Sequence, residues 1–397
     1  MIRVLGGNDH QGSPVALADY TTLGLGGPAR SFVSADTEPG LVDAVRRADQ
    51  AGEPVLLIGG GSNLVIADEG FAGRVVHVNT RGFTFVDAGE GAVSVTVAAG
   101  EDWDDVVAAT VAEGLAGLEP LSGIPGRAGA TPIQNVGAYG REVAEVITLV
   151  RVYDRQEDQV RTIKNEGCRF AYRTSLFKSG RPESLVSPPA RASADRASAD
   201  RASANQAPPA AAGQPRYVVL DVTFRLARQA LSAPVSYAEL AAELGVALGE
   251  QAGAGEVRAA VLKIRARKGM VLNPGDPDTR SAGSFFTNPV ITAGELAAVE
   301  AAAAARGAGP VPRYPAGPGL VKVPAAWLIE HAGFAKGYGA EPGRPARVSS
   351  KHTLALVNAG AATTADLLAL AREIVGGVQA AYGVTLTPEP ILVGVTL

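Results

Sequence analysis

A short apolar run that ends in three consecutive glycines constrains this chain more than any other stretch. Val55-Leu56-Leu57-Ile58 reads as a buried strand, and Gly59-Gly60-Gly61-Ser62-Asn63-Leu64 follows it without a spacer. A strand running into such a loop lets successive backbone N–H groups point the same way. With no Cβ to hold a ligand off, that makes a cradle for an anionic group such as a diphosphate. Ser62 and Asn63 add side-chain hydrogen-bonding groups.

Further along stands a second glycine-dense stretch, Gly123-Ile124-Pro125-Gly126-Arg127-Ala128-Gly129-Ala130-Thr131-Pro132-Ile133-Gln134-Asn135-Val136-Gly137-Ala138-Tyr139-Gly140. Its Gln134-Asn135 pair, set between small residues, suits a flat ring with polar edges lying against the backbone. The two loops together point to a dinucleotide with a fused ring at one end. Each alone is also compatible with an ordinary turn, since glycine is abundant here at 48 residues.

Two nearby alternatives fit worse. A P-loop needs Lys and then Ser or Thr after its last glycine, and neither loop has them. Gly24-Leu25-Gly26-Gly27-Pro28-Ala29 matches a Rossmann fingerprint formally, but it follows Tyr20-Thr21-Thr22 rather than a buried strand. Pro28 also removes a donor where a phosphate would dock, so this segment reads as a turn.

At 397 residues, 46% hydrophobic and 19% charged, the chain is long enough for two or three domains with their own cores. A net charge of −4 argues against nucleic acid as a partner. The alanine-rich stretch 295–305 is too short to cross a bilayer, so no membrane association is expected. Residues 1–8 lack the basic start and apolar stretch of a signal peptide. Cys168 is the one cysteine, which excludes an intramolecular disulfide and fits a reducing cytoplasm. It has no neighbouring His and reads as a packing thiol. His10, His77, His331 and His352 are scattered, so no bound metal is expected.

Leu41, Val45 and Ala48 recur at helical spacing before Gly52-Glu53-Pro54, giving a helix that feeds the first loop. Val75 to Val78 and the alternating Val93, Val95 and Val97 read as strands, and Trp103–Ala112 as a helix. Short strands mixed with helices and irregular glycine loops indicate an α+β fold rather than a doubly wound one. Over 179–216 the character changes. An Arg-Ala-Ser-Ala-Asp repeat runs from Arg191 between Pro-Pro pairs with almost no large apolar residue, so a disordered insertion is expected. Val218, Leu220, Val222, Phe224 and Leu226 then alternate as a half-buried strand. A second domain is expected from about Val235, with helices at Ala238–Leu244, 257–267, 295–305, Ala325–His331 and Thr364–Tyr382 and a last strand at 391–395. The basic residues Lys263, Arg265 and Arg267 read either as ligand-facing or as an exposed helix face.

Four more short motifs stand out: Phe170-Ala171-Tyr172-Arg173-Thr174-Ser175; the basic run 263–268; Gly283-Ser284-Phe285-Phe286-Thr287-Asn288-Pro289; and Pro388-Glu389-Pro390. With the two loops, and in this order, the chain resembles the UDP-N-acetylenolpyruvoylglucosamine reductase family from about Tyr20 to Gly394, apart from the insertion. The Ser236-Tyr237-Ala238-Glu239-Leu240 segment is similar to the tyrosine loop of one subtype, which folds over bound substrate. The resemblance implies a two-lobed FAD-binding domain of the vanillyl-alcohol-oxidase/PCMH type over 15–230, interrupted by 179–216. A smaller α+β substrate-binding domain would span 235–385, with a C-terminal strand at 386–397 returning to the first domain.

It further implies an NADPH-dependent flavoprotein of cell-wall precursor synthesis that reduces the C=C bond of an enolpyruvyl UDP-sugar. Ser284 would be the proton donor, with Arg173 and Glu389 flanking the substrate carboxylate. FAD would lie along Gly59, Gly60, Gly61, Ser62, Asn63 and Leu64, and along Gly123, Ile124, Gly126, Gly129, Ala130, Thr131, Gln134, Asn135, Gly137, Ala138 and Tyr139. Tyr172, Tyr237, Lys268, Asn288, Tyr314, Lys322 and Lys336 would line the UDP-sugar site.

These residue types suit that chemistry. Hydride addition to the terminal carbon of an enolpyruvyl group leaves charge on the neighbouring carbon and its carboxylate. A guanidinium pairs two carboxylate oxygens and keeps its proton, whereas Glu389 helps only if it is protonated or shares a proton. Gly283 would leave room for close approach to Ser284. No His lies within 55–71, so the FAD is expected without a covalent link, and the protein is expected as a monomer. An oxidase of the same flavin superfamily and a binding module that senses a nucleotide-sugar remain the competing classes. The binding module would have no need of Ser284, Arg173 and Glu389 together.

Overall fold

The computed structural model describes residues 14–179, 214–341 and 343–397. The stretch 180–213, which holds the repeat and most of the expected insertion, lies outside the described residues. The flanks of that insertion are built into the fold. Leu176–Ser179 is a short helix. Arg216 donates to both carboxylate oxygens of the fully buried Asp154 at 2.9 and 2.8 Å. Gln214 Oε1 accepts from the N–H of Val55 at 2.9 Å. Of the expected insertion 179–216, only Ser179 and residues 214–216 are described, and at the second edge Gln214 and Arg216 have side-chain partners.

The helix Glu38–Gln50 forms because Leu41, Val45 and Ala48 fall on one stripe, all fully buried. Thr37 caps it by accepting from Gly40 N–H at 3.2 Å. Gly52, at φ +65°, turns the chain back into the strand Val55–Ile58. That strand lies parallel to Phe71–Val78, which is parallel in turn to Ala29–Ala35.

A second, antiparallel sheet runs in the order Gln159–Lys164, Ile147–Asp154, Tyr217–Arg228, Ala92–Ala98, Phe83–Asp87. Its central strand is not half-buried as the alternation suggests: every residue from Tyr217 to Phe224 is buried. The second face is closed by polar partners, Arg151 with Asp221 and the Thr96 and Thr223 hydroxyls at 3.0 Å. Alternating Val, Leu and Phe side chains pack on the other face under Trp103, whose Nε1–H donates to Leu121 O at 3.0 Å.

The C-terminal half builds its own core around Phe285, Phe286, Leu328, Ile329, Leu367 and Ile374. Leu23, Leu25 and Val65 join that core from the N-terminal half. The strand Ile391–Val393 pairs in parallel with Leu64–Ile66, directly after the first glycine loop. Among the described residues no helix is long and apolar enough to cross a membrane.

Candidate active site

The two glycine loops touch. A Cβ on Gly60 would lie 2.8 Å from Gly126 Cα, one on Gly126 would lie 2.8 Å from Ser62 Oγ, and one on Gly59 would lie 3.0 Å from Arg127 Cγ. Gly61, at φ +58°, would place a Cβ 1.9 Å from Tyr20 O. Close packing of loop on loop, and not only room for a ligand, therefore requires these glycines. The donors remain as expected: the backbone N–H groups of Gly60, Gly61, Ser62 and Asn63 make no hydrogen bond to the described residues.

The second loop behaves differently. The N–H groups of Gly123, Gly129, Ala130 and Thr131 are already bonded, to Asp104 Oδ1, Ala99 O, Arg127 O and Ala128 O. Ile124 and Gly126 keep free N–H groups among the described residues, and Gly137–Ala138 pairs in a hairpin with Arg141–Glu142. Asn135 departs from the expectation of a ring-facing amide. It is 2% exposed at φ +43°, and its Nδ2 donates to Glu142 Oε2 and Ala171 O while its Oδ1 accepts from Ala144 N–H. Its side chain braces the loop because neighbours remote in sequence fold onto it. Gln134 is placed toward the site: its Oε1 accepts from Lys178 Nζ at 2.7 Å and its Nε2 points to Glu389 O at 3.5 Å.

Among the described residues, four donors around these loops are buried without a hydrogen-bond partner: Asn63 Nδ2, Arg127 Nε, Arg173 Nε and Arg265 Nε. Buried donors without acceptors are costly, and four on the rim of two loops match a ligand rich in acceptors and negative charge. FAD fits that requirement.

Arg173 and Tyr172 are thrust out by a tight turn in which Ala171 and Thr174 exchange backbone hydrogen bonds at 3.0 and 3.1 Å. Arg173 sits at φ +56°. Ser175 Oγ ties the turn to Ile133 O at 2.9 Å, beside Gln134. Arg173 Nε is 3.2 Å from Glu389 Oε1. Glu389 N–H donates to Phe285 O at 2.9 Å and Thr287 N–H to Thr387 O at 3.0 Å, so the Pro-Glu-Pro and Gly-Ser-Phe-Phe segments form one bonded unit. Phe285 and Phe286, 0% and 1% exposed, anchor it. Ser284 is partly buried, and its hydroxyl has no hydrogen-bond partner among the described residues. Gly283 is required by its φ of +70° rather than by crowding, since a Cβ there would meet nothing within 4 Å.

Burial raises the Glu389 carboxyl above the ordinary carboxylate range, against the pull of Arg173 and Lys178. Burial lowers the Lys178 ammonium, although Glu389 draws it back up.

The expected sugar-site residues form two groups. In the first, Lys322 Nζ stands 4.5 Å over the Tyr172 ring, Tyr314 pairs with Lys322 across strands, and Asn288 lines one cavity with Tyr172. Asn288 Oδ1 also accepts from Ala325 N–H at 2.9 Å, capping the next helix. A cavity of about 650 Å³ opens here between Tyr172, Arg173, Lys178, Asn288, Glu295 and Thr385; neither Ser284 nor Glu389 lines it. In the second group, Lys268 is bound to Glu239 at 2.5 Å, and Lys268 and Lys336 both act on the His352 imidazole. The exposed Tyr237 meets Tyr139 edge-on at 5.4 Å. Burial pushes the Tyr139 hydroxyl up to about 12.

Sequence reasoning missed Lys178 and a place for His352 near the site, and it leaves Arg265 open between a ligand-facing and an exposed position. Lys178 closes the Tyr-Arg motif one residue before the expected insertion. His352 carries no local pattern. Arg265 is not on the exposed face: Lys263 and Arg267, one turn apart, both bind Glu243 at the surface, while Arg265 lies two residues from each and faces inward at 6% exposure.

The family model of the UDP-N-acetylenolpyruvoylglucosamine reductase C-terminal domain matches residues 276–393, and that of an FAD binding domain matches 29–163. A UDP-N-acetylenolpyruvoylglucosamine reductase from Thermobifida fusca is 51% identical over 96% of this chain and 98% of its own length. One from Saccharopolyspora erythraea is 52% identical over 96% and 95%. The crystal structure of the reductase from Thermus caldophilus superposes with a TM-score of 0.58 at 24% identity, covering 98% of this chain and 99% of that one, and shares the fold. With half of the residues identical along nearly the full length of both chains, this chain belongs to the UDP-N-acetylenolpyruvoylglucosamine reductase family.

Proposed function

We infer that this chain is an FAD-dependent oxidoreductase that reduces UDP-N-acetyl-3-O-(1-carboxyvinyl)-glucosamine to UDP-N-acetylmuramate with NADPH, in peptidoglycan precursor synthesis. Family membership supports the reaction, and the buried, partnerless donors on the glycine loops support the cofactor. The observation that carries the reading is the Arg173–Glu389 contact at 3.2 Å, fixed by backbone hydrogen bonds to the segment that bears Ser284.

Asn63, Arg127 and the free N–H groups of residues 60–63 would hold the FAD. When bound and reduced, it supplies the hydride for the terminal carbon of the enolpyruvyl group. Arg173 pairs with the substrate carboxylate as negative charge grows there. Glu389, its proton held by burial, hydrogen-bonds the same carboxylate without repelling it. Ser284 Oγ, with no hydrogen-bond partner among the described residues, gives its proton to the carbon next to the carboxylate. Lys268, Lys322 and Lys336, with Tyr237, Tyr314 and Asn288, receive the UDP portion. We place the reaction in the cytoplasm, on a monomer.

The absorbance spectrum of the purified protein tests this. A flavin band bleached by NADPH and restored anaerobically only by the enolpyruvyl UDP-sugar is expected; a protein without flavin, or one reoxidised by oxygen alone, would refute it. Acid precipitation should release the colour into the supernatant, because the FAD is not covalently held.

A further inference from the structure

We propose that Arg265 binds the anionic part of the cofactor, as the counter-cation beneath the second glycine loop. This deepens the FAD assignment above and rests on it.

Arg265 lies on the helix Ala254–Arg267 and is 6% exposed. Its Nη2 donates to Met270 O at 3.0 Å, and its Nε has no hydrogen-bond partner among the described residues. A Cβ on Gly123 would sit 3.5 Å from that Nε, and the guanidinium acts electrostatically on the Tyr139 hydroxyl. One buried cation thus lies next to Gly123 and acts on Tyr139, near the two ends of the stretch expected to hold FAD.

No carboxylate forms an ion pair with it among the described residues. Asp104 acts on it, but Arg258 takes both Asp104 oxygens at 2.6 and 2.9 Å, and Gly123 N–H takes one of them at 2.6 Å. Arg155, buried to a similar degree, has Asp49 at 2.6 Å. Arginine cannot escape by losing its proton, even though burial lowers its pKa. A buried guanidinium without a counter-charge weakens the fold, and an anionic acceptor placed against Nε would recover that loss. The dinucleotide offers two such acceptors: its diphosphate, and the carbonyl edge of its ring, which gathers negative charge on reduction. Both present an anionic oxygen.

The full chain, stripped of FAD, supplies the test, with Arg265→Met and Arg265→Lys beside the parent. The cofactor-free Arg265→Met protein should melt at or above the parent temperature, since it has lost an uncompensated charge. Its FAD dissociation constant, read by flavin fluorescence, should rise at least about tenfold, a factor worth about 1.4 kcal/mol. Arg265→Lys, which keeps the charge but not the Nε donor, should fall between. Weakened competition by ADP would place the contact at the diphosphate. Unchanged ADP competition with a more negative flavin midpoint potential would place it at the ring edge. A parent that binds no FAD would refute the cofactor assignment itself. A parent that binds FAD, beside an Arg265→Met protein that binds it equally well, would overturn only this proposal. So would a cofactor-free Arg265→Met protein melting well below the parent, because Arg265 would then be a brace for Met270 and Tyr139.

Discussion

Arg173 Nε stands 3.2 Å from Glu389 Oε1, yet the pair is an ion contact without hydrogen-bond geometry, and the same Nε is buried with no hydrogen-bond partner among the described residues. The guanidinium is held beside the carboxylate without being consumed by it. Its fork is left for a second carboxylate, while Glu389 answers to burial more than to Arg173.

Ser284→Ala removes one hydroxyl where a single proton transfer is assigned. General acid catalysis contributes about 10²- to 10⁴-fold. The variant should bind FAD and be bleached by NADPH at a normal rate, yet reoxidise with the enolpyruvyl substrate at least about a hundredfold more slowly. Stopped-flow flavin absorbance separates the two steps. Reoxidation within a fewfold of the parent would remove Ser284 from the mechanism.

Glu389→Gln should slow the second half-reaction and spare FAD reduction, because an amide can hydrogen-bond but cannot share a proton. It also has a stability signature. Burial raises this carboxyl above 4.5, so the folded state holds its proton more tightly than the unfolded state. That contribution is full below pH 4.5 and is lost as pH climbs through the raised value. The variant should therefore gain melting temperature relative to the parent as pH rises through that window. A constant difference across the series would contradict the assignment.

His352 works in the opposite sense. Burial first, then Lys268, Lys336 and Arg265, lower its imidazole from 6.5 to about 4, while Glu239 pulls weakly the other way. Its neutral form stabilises the fold above pH 6.5, and about 3 kcal/mol is lost as pH falls to below 4. His352→Asn should flatten the fall in stability between those values. Denaturant titrations at stepped pH would show it, and a variant as acid-sensitive as the parent would reject it.

Glu239→Gln should tighten binding of UDP by a fewfold, because Glu239 competes with a diphosphate for Lys268. The effect should shrink in high salt, since the pair is partly exposed. Isothermal titration at two ionic strengths decides; weaker binding in the variant would mean that Glu239 orients Lys268 rather than competing for it.

Helices with strong end signals were legible in the sequence. Trp103–Ala112 begins at Asp102, which accepts from Asp104 N–H, and Thr364–Tyr382 runs from the Thr363 cap to Gly383 in the left-handed region. Segment and motif were readable wherever the cause was local, as with the Tyr-Arg turn and the strand into Gly59. What escaped depends on partners distant in the chain. Gln159–Lys164 is almost wholly exposed, so no alternation marked it as a strand. Asn135 looked available because nothing nearby announces Glu142 and Ala171 as its partners. For Arg265 the sequence leaves ligand-facing and exposed readings open, because its two basic neighbours give the same local pattern in either case.

The parallel pairing of Ile391–Val393 with Leu64–Ile66 also sets the timing of assembly. During synthesis the first glycine loop emerges early, but the strand beside it gains this neighbour only after the whole intervening chain has been made. Such long-range closure is slow, and Glu389 arrives with it. A nascent chain can therefore shape its glycine loops before it owns Glu389, so the two halves of the proposed site come together late.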